Sequence, residues 1–253
     1  MWKRSSGPAS AVIVAVALTT PGWALTITDV LPGTFVDISV GGVGTPLGLD
    51  LDQVVEIVTT IGNPVFPAGA VAVGNNGGIG FQAGTNELIL TDVNEPIPSD
   101  DAFGGDQALL AFWDDIGNEV GDIYWTELVV PSSANRPAGE ALIVQWEEKR
   151  FDQLGPGPDD TATFQIQVFQ DPGPDDIFAQ LLYTDIEQER PGGGKSATIG
   201  YQDGAAGFND FQWSFDTEGA VSNGTVLSLI PEPMTGLLLV AGAALLRRRG
   251  RMV

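Results

Sequence analysis

From about residue 25 to residue 230 the chain is a succession of short runs in which apolar and polar positions alternate, interrupted by Gly, Pro, Asn and Asp. In "TFVDISV" (34–40), Val36, Ile38 and Val40 fall on one side of an extended chain. The runs "ELILT" (87–91), "LLAFW" (109–113), "DIYWTEL" (122–128) and "ALIVQWE" (141–147) have the same period. So do "TFQIQVF" (163–169), "IFAQLLY" (177–183), "SATIGYQ" (196–202) and "GTVLSLI" (224–230). Side chains at i and i+2 of a strand share a face, and β-branched and aromatic residues suit a pleated, half-buried surface. Turn clusters such as "GNNGG" (74–78), "GPGPDD" (155–160), "DPGPDD" (171–176) and "PGGG" (191–194) separate the runs. Only "LGLDLDQVVEIVTT" (47–60) has helical length, and "VVEIVTT" is too β-branched to favour a helix. Many short strands with no βαβ rhythm predict an all-β domain, an antiparallel β-sandwich.

The two ends break this pattern. At the start, Lys3 and Arg4 precede the apolar run "AVIVAVAL" (11–18), and Gly22 and Ala24 place small residues three and one positions before Leu25. Basic flank, short apolar core and small-x-small exit come in the order of a secretory signal peptide cut between Ala24 and Leu25. At the end, Pro231-Glu232-Pro233 precedes a short apolar stretch (234–246), and Arg247, Arg248, Arg249 and Arg251 follow. As a helix that stretch would measure about 20 Å, short of the ~30 Å hydrocarbon core of a bilayer. The arginines would act as a membrane stop and hold its end on the cytoplasmic side, leaving everything before it outside. The expected organisation is a signal peptide over 1–24, an exported domain over 25–228 and a sorting segment over 229–253.

Charge narrows the function. Residues 25–230 carry 32 acids and only Arg136, Lys149, Arg150, Arg190 and Lys195 as bases, within a chain of net charge −22. Such a surface repels nucleic acid at long range. The chain has no His and no Cys, so His-based triads, imidazole general bases, disulfides and thiolate or imidazole metal sites are absent. The glycines of "GNNGGIG" are not followed by the Lys-Ser/Thr of a phosphate loop and read as an Asn-Gly hairpin.

Carboxylate chemistry remains. Two acids can cleave a glycosidic bond, but 32 acids pair by chance, and their abundance alone assigns no hydrolase. Hard oxygen ligands also suit calcium. The densest group is "WDDIGNEVGD", where Asp114, Asp115, Asn118, Glu119 and Asp122 share one loop between two strand-like runs. Asp114, Asp115 and Asp122 are the candidate metal ligands; the spacing is not that of an EF-hand, and no other cofactor is expected. Trp113, Trp125, Trp146 and Trp213 could stack on sugars, but each sits in an apolar run that favours a core role. Asn223-Gly224-Thr225 has the form of a glycosylation sequon, although Asn-Gly there favours a turn.

Two resemblances follow from these residues. The Pro231-Glu232-Pro233 tripeptide, apolar run and closing Arg cluster resemble the PEP-CTERM sorting signal of exported Gram-negative proteins, with Ile230 where that family often has Val. The resemblance implies Sec export, a transient inner-membrane stage and processing by an exosortase-type enzyme. Within the domain, "VAVGNNGGIGF" (71–81), "ALLAFWDDI" (108–116), "GDIYW" (121–125), "ALIVQWEE" (141–148), "TATFQIQVF" (161–169) and "SATIGYQDG" (196–204) resemble the nidogen-like (NIDO) extracellular module over residues 70–205. That resemblance implies a non-catalytic sandwich used in adhesion or matrix association. The expectation is a protein of the cell surface or extracellular matrix with exopolysaccharide or matrix components as partners. The alternative is a carbohydrate-binding or carbohydrate-cleaving sandwich.

Overall fold

Period-2 runs bury one face each, and here they do so in two antiparallel sheets. A computed structural model describes residues 25–29, 32–50, 52–81, 89–117, 120–132, 138–150, 161–170, 172, 176–186, 196–204 and 210–231. The first sheet is built from β1 (Leu25–Thr28), β2 (Thr45–Pro46), β7 (Asp122–Val130), β8 (Gly139–Arg150), β9 (Thr161–Phe169), β10 (Ala179–Ile186) and β13 (Val226–Pro231). Its seven strands run in the order β1-β13-β10-β9-β8-β7-β2. The second contains β3 (Val54–Thr59), β4 (Gly69–Gly74), β5 (Gly78–Phe81), β6 (Gln107–Trp113), β11 (Thr198–Gln202) and β12 (Phe211–Phe215). Its order is β12-β11-β6-β5-β4-β3. The segment with helical length forms strand β3, as its β-branching predicts. The described residues hold no α-helix.

Between the sheets lies the main core. Val144, Trp146, Phe164, Ile166 and Leu181 come from the first sheet, and Val71, Ile79, Leu109 and Ile199 from the second. Trp146 stacks on Phe164 at 5.0 Å between ring centroids. Two polar groups cross this core: Trp146 Nε1 donates to the Gly74 carbonyl at 3.2 Å, and the Tyr183 hydroxyl to the Ala111 carbonyl at 2.5 Å. Each ties one sheet to the backbone of the other, and a buried polar atom left unpaired there would cost about 1–3 kcal/mol.

The outer faces are covered as well, by segments that are not strands. "TFVDISV" does not join a ladder as its alternation suggests. Residues 32–38 instead cross the first sheet as an extended strap over a row of glutamines. Gln180 Nε2 donates to the Pro32 carbonyl at 3.2 Å, Gln167 Nε2 to that of Thr34 at 3.0 Å and Gln165 Nε2 to that of Val36 at 2.8 Å. The Ile38 N–H then donates to Gln145 Oε1 at 3.0 Å. Alternate groups of an extended chain point the same way, so every second residue meets the next amide. Gln145 pairs with Gln165, and Gln167 with Gln180, across neighbouring strands. All four are fully or almost fully buried. Ile38 is buried too, with Ile143 and Phe169 among its neighbours, while Val40 lies past the strap and is 59% exposed.

The second sheet is strapped in the same manner by residues 89–106. Gln212 Oε1 accepts the Ile97 N–H at 2.9 Å, Gln202 Oε1 the Ser99 N–H at 2.7 Å, and Trp113 Nε1 donates to the Thr91 carbonyl at 2.8 Å. Gln202 Nε2 also reaches the Asp106 carbonyl at 3.0 Å. Phe103 lies so close to Gly80 that a Cβ there would sit 2.6 Å from its ring, which is why that strand position is glycine.

The expected Asn-Gly hairpin is present: β4 and β5 pair through Gly74 and Gly78 around Asn75, Asn76 and Gly77, the last at φ 89°. The domain, however, continues past the boundary drawn at residue 228. Leu25, Thr26 and Ile27 pair with Pro231, Ile230 and Leu229, and Leu229 is fully buried. A fragment ending at residue 228 loses three of the four register pairs of β1 and a core leucine. Removing a buried leucine side chain alone costs roughly 2–5 kcal/mol. Residues 25–231 should therefore melt roughly 5–10 °C above residues 25–228. Equal melting temperatures would show that the β1–β13 pair contributes nothing to the fold.

Candidate functional site

Among the sequence-predicted ligands, Asp114 follows the end of β6 and Asp122 opens β7. Asn118 and Glu119 lie outside the described residues. Asp114 is 4% exposed. Its Oδ2 accepts the Ser196 hydroxyl at 2.5 Å and its Oδ1 the Asp115 N–H at 2.9 Å. Asp122 is half-buried, and its Oδ1 accepts the N–H groups of Ile123 at 2.7 Å and Gly48 at 3.0 Å. The two carboxylates thus fasten different pieces of chain, Ser196 ahead of β11 and Gly48 just after β2. Among the described residues no three acids gather in a way that could hold a metal ion.

The start of this loop is fixed from below by the hairpin tip. Asn76 and Asn75 are fully buried. The Asn76 carbonyl accepts the Asp114 N–H at 3.3 Å, its Oδ1 accepts the Ile116 N–H at 3.2 Å, and Asn75 Nδ2 donates to the Ile116 carbonyl. Asn76 Nδ2 donates to the Leu90 carbonyl at 3.1 Å and to Asp52 Oδ1 at 3.0 Å. The β4–β5 turn, which the sequence marks only as a turn, joins the acidic loop to the second strap.

Burial pushes the Asp114 carboxyl up from 3.8 to about 6, against the Ser196 and Asp115 hydrogen bonds, with the charges of Asp115 and Asp216 adding to the rise. Glu127 goes the other way. Burial raises it, but hydrogen bonds from Thr59 and Thr60 outweigh that and hold it below the usual carboxylate range. Thr59 Oγ1 and the Thr60 N–H both meet Glu127 Oε1 at 2.6 Å, tying the end of β3 to β7 in the opposite sheet.

A second acidic place escaped the sequence reading. A cleft of about 570 Å³ opens between the second strap and the end of β11, lined by Glu95, Pro98, Ser99, Asp100, Asp101, Gly105 and Gly204. Glu95 Oε2 accepts the Ser99 hydroxyl at 2.8 Å, and Ser99 Oγ in turn accepts the Asp101 N–H at 3.0 Å. The available signal was "EPIPSDDAFGGD" (95–106), where acids crowd a stretch that Pro and Gly keep out of strands. The wall acids make the cleft cation-attracting, and among the described residues its lining includes no aromatic ring.

The four candidate stacking tryptophans lie in or against the core. Trp113 and Trp146 are fully buried, and Trp125 and Trp213 are half-buried and packed against the main cluster. The Trp213 Nε1 donates to the Ala220 carbonyl at 3.2 Å. The candidate sequon residue Asn223 is exposed, and its Oδ1 accepts the Ile186 N–H at 2.5 Å beside Gly224, whose φ is 85°. It forms the expected turn.

No protein-family model, curated protein or solved structure matches this chain. The site rests on its own geometry.

Asp114 gives that geometry a pH signature. A carboxyl raised in the folded state favours folding most below its unfolded value near 3.8, and that contribution is lost as pH rises through about 6. Each tenfold change in proton affinity is ~1.4 kcal/mol, so ionised Asp114 strains the fold by roughly 3 kcal/mol at neutral pH. Asp114→Asn keeps an acceptor for the Asp115 N–H and offers a donor to Ser196 Oγ. It should raise the melting temperature at pH 7 and reduce the gain in stability between pH 6 and pH 4 relative to the unaltered chain. A variant that melts lower at pH 7 with an unchanged pH slope would contradict this account of Asp114.

Proposed function

We propose that this protein is exported through the Sec machinery and acts, without catalysis, at the cell surface or in the extracellular matrix of a Gram-negative bacterium. In this reading Lys3 and Arg4 with the apolar run 11–18 direct export, and cleavage follows Ala24. Pro231-Glu232-Pro233, the run 234–246 and Arg247, Arg248, Arg249 and Arg251 form a PEP-CTERM-type tail removed by an exosortase-type enzyme. Residues 1–24 and 232–253 lie outside the described residues. One observation supports the reading: Leu25, the residue after the expected cleavage, and Pro231, the first residue of the tripeptide, are register partners in the β1–β13 pair.

For the exported domain, adhesion or association with exopolysaccharide is the role that fits a NIDO-like sandwich. The placement of the tryptophans supports a structural rather than a sugar-stacking use, since all four pack into or against the core. The alternative, a carbohydrate-binding or carbohydrate-cleaving protein, would place its ligand in the cleft of Glu95, Asp100 and Asp101. Among the described residues that cleft is lined by carboxylates and by no aromatic side chain, whereas sugar sites pair a stacking face with a few polar groups.

Fractionation of the native host with intact-mass measurement tests the reading. The mature protein should begin at Leu25, lack the Arg cluster and appear in the surface or matrix fraction. Glu232→Ala with Pro233→Ala, which leaves Pro231 and strand β13 untouched, should hold the protein in the inner membrane. An intact Arg cluster on the unaltered protein, or unchanged release of the variant, would overturn the sorting role.

A further inference from the structure

Four strands end the two sheets: β1 and β2 in the first, β12 and β3 in the second. Three of them are blunted in ways that discourage pairing with another chain. β2 is two residues long and contains Pro46, β12 carries a register shift against β11, and β1 lies against β12 across the sandwich. β3 has none of these devices. Its six residues, "VVEIVT", include no Pro, Gly or Lys, and they pair with β4 in unbroken register from Val54 with Gly74 to Thr59 with Gly69.

The register fixes which way the β3 backbone points. The Asn75 N–H donates to the Gln53 carbonyl at 2.9 Å, one step beyond the Val54–Gly74 pair. Bonded and unbonded pairs alternate along an antiparallel ladder, so Val55, Ile57 and Thr59 bond β4. The N–H and C=O groups of Val54, Glu56 and Val58 point the other way, where no described strand stands. The side chains divide in the same rhythm. Ile57 is buried in the main core and Val55 packs against it, whereas Glu56 is exposed and Val58 is 69% exposed.

Charge selects the occupant of such an edge. Glu56 stands at its centre. At its far end Glu127 accepts the hydroxyls of Thr59 at 2.6 Å and Thr60 at 2.7 Å and adds a second carboxylate. A second copy of this chain would bring its own Glu56 to the same edge, and each copy carries 32 acids against five bases over residues 25–230. Like charges opposed across a ladder destabilise it, and opposite charges stabilise it. We infer that β3 is a docking edge for an extended, cationic segment of another molecule, which adds a strand beside β3 with lysine or arginine opposite Glu56. The outward backbone groups supply bonds to any extended chain, and the carboxylates choose among chains. The inference names a kind of partner for the adhesive role proposed above and rests on that reading for its setting, while the edge itself lies wholly within described strands.

A short synthetic peptide of alternating lysine and valine tests the edge, with the protein purified from its host in whatever processed form it takes. The peptide should bind, and residue-resolved hydrogen exchange should show new protection at the amides of Val54, Glu56 and Val58. Those of Val55 and Ile57 should stay as protected as before. Glu56→Lys reverses the central charge and should weaken binding about tenfold. Val58→Pro removes an outward N–H without touching the β3–β4 ladder and should weaken binding as well; if that variant does not fold, Glu56→Lys and the exchange pattern decide. The same peptide with glutamate in place of lysine should not bind. Absence of binding, protection that falls on the Glu95–Asp101 cleft instead, unchanged affinity of Glu56→Lys, or a dimer formed through β3 without peptide would each overturn the docking edge. None of these results bears on the sorting reading, which the fate of the Arg cluster decides.

Discussion

Side-chain amides on the outer faces of both sheets, bonded to the backbone of straps that cross them, are the constraint on which the rest of this structure depends. A glutamine buried without partners costs more than a solvated one, and a strap buried without partners leaves its own N–H and C=O groups unpaired. Each offsets much of the cost of the other, although Gln167 Oε1 stays buried without a hydrogen-bond partner among the described residues. Gln165 is the centre of the first network, bonded to Gln145, to Gln167 and to both backbone groups of Val36. Linked amides in a low-dielectric setting gain from one another, and a network of this kind specifies one register. Once residues 32–38 are so placed, Gly44 closes back on the Ile38 carbonyl at 2.8 Å, and Thr45 and Pro46 reach the edge of β7. The first sheet is thereby edged by a two-residue strand containing proline, which cannot donate to a further neighbour.

The same device on the second sheet has a consequence for the surface. Residues 89–106 are drawn over Gly80 and Ala108 by Phe103 and Ala102, and over Gly200 by Ile97. The acids of that strap are then left at its rim, where they wall the Glu95–Asp101 cleft. On the other side of β6, the buried Asn75–Asn76 turn fastens the loop that starts at Asp114. Acidic surface and strapped core are thus one construction: apolar and amide side chains hold each strap down, and carboxylates occupy what remains outside. A carboxylate caught inside, as Asp114 is, shows the strain through its raised pKa.

Much of this was legible in the sequence. The alternation in "LLAFW", "ALIVQWE" and "TFQIQVF" predicts β6, β8 and β9 because one face of each is apolar whatever covers the other. "VVEIVTT" reads as a strand because β-branching decides it locally. The fate of Gln145, Gln165, Gln167 and Gln180 was not legible, since period 2 assigns a polar residue to an outer face without saying whether that face meets water or backbone. For the same reason "TFVDISV" reads as a strand: a strap and a strand need the same extended alternation and differ only in their partners. The acidic loop was visible as composition, but burial of Asp114 depends on Ser196 and the Asn75–Asn76 turn, which are distant in sequence. The boundary near residue 228 fell short because β13 runs into the tripeptide that the tail signal begins with.

Hydrogen exchange of three backbone amides tests the strapped-face account most directly. The N–H groups of Ile38, Ile97 and Ser99 lie outside every strand and donate to the side-chain amides of Gln145, Gln212 and Gln202. If these bonds hold the straps on the sheets, all three amides exchange only through large-scale opening, with protection comparable to core positions such as Val144 and Ile166. Exchange at the rate of an open loop, with β8 and β9 still protected, would show sheets that stand without their straps and would contradict the account.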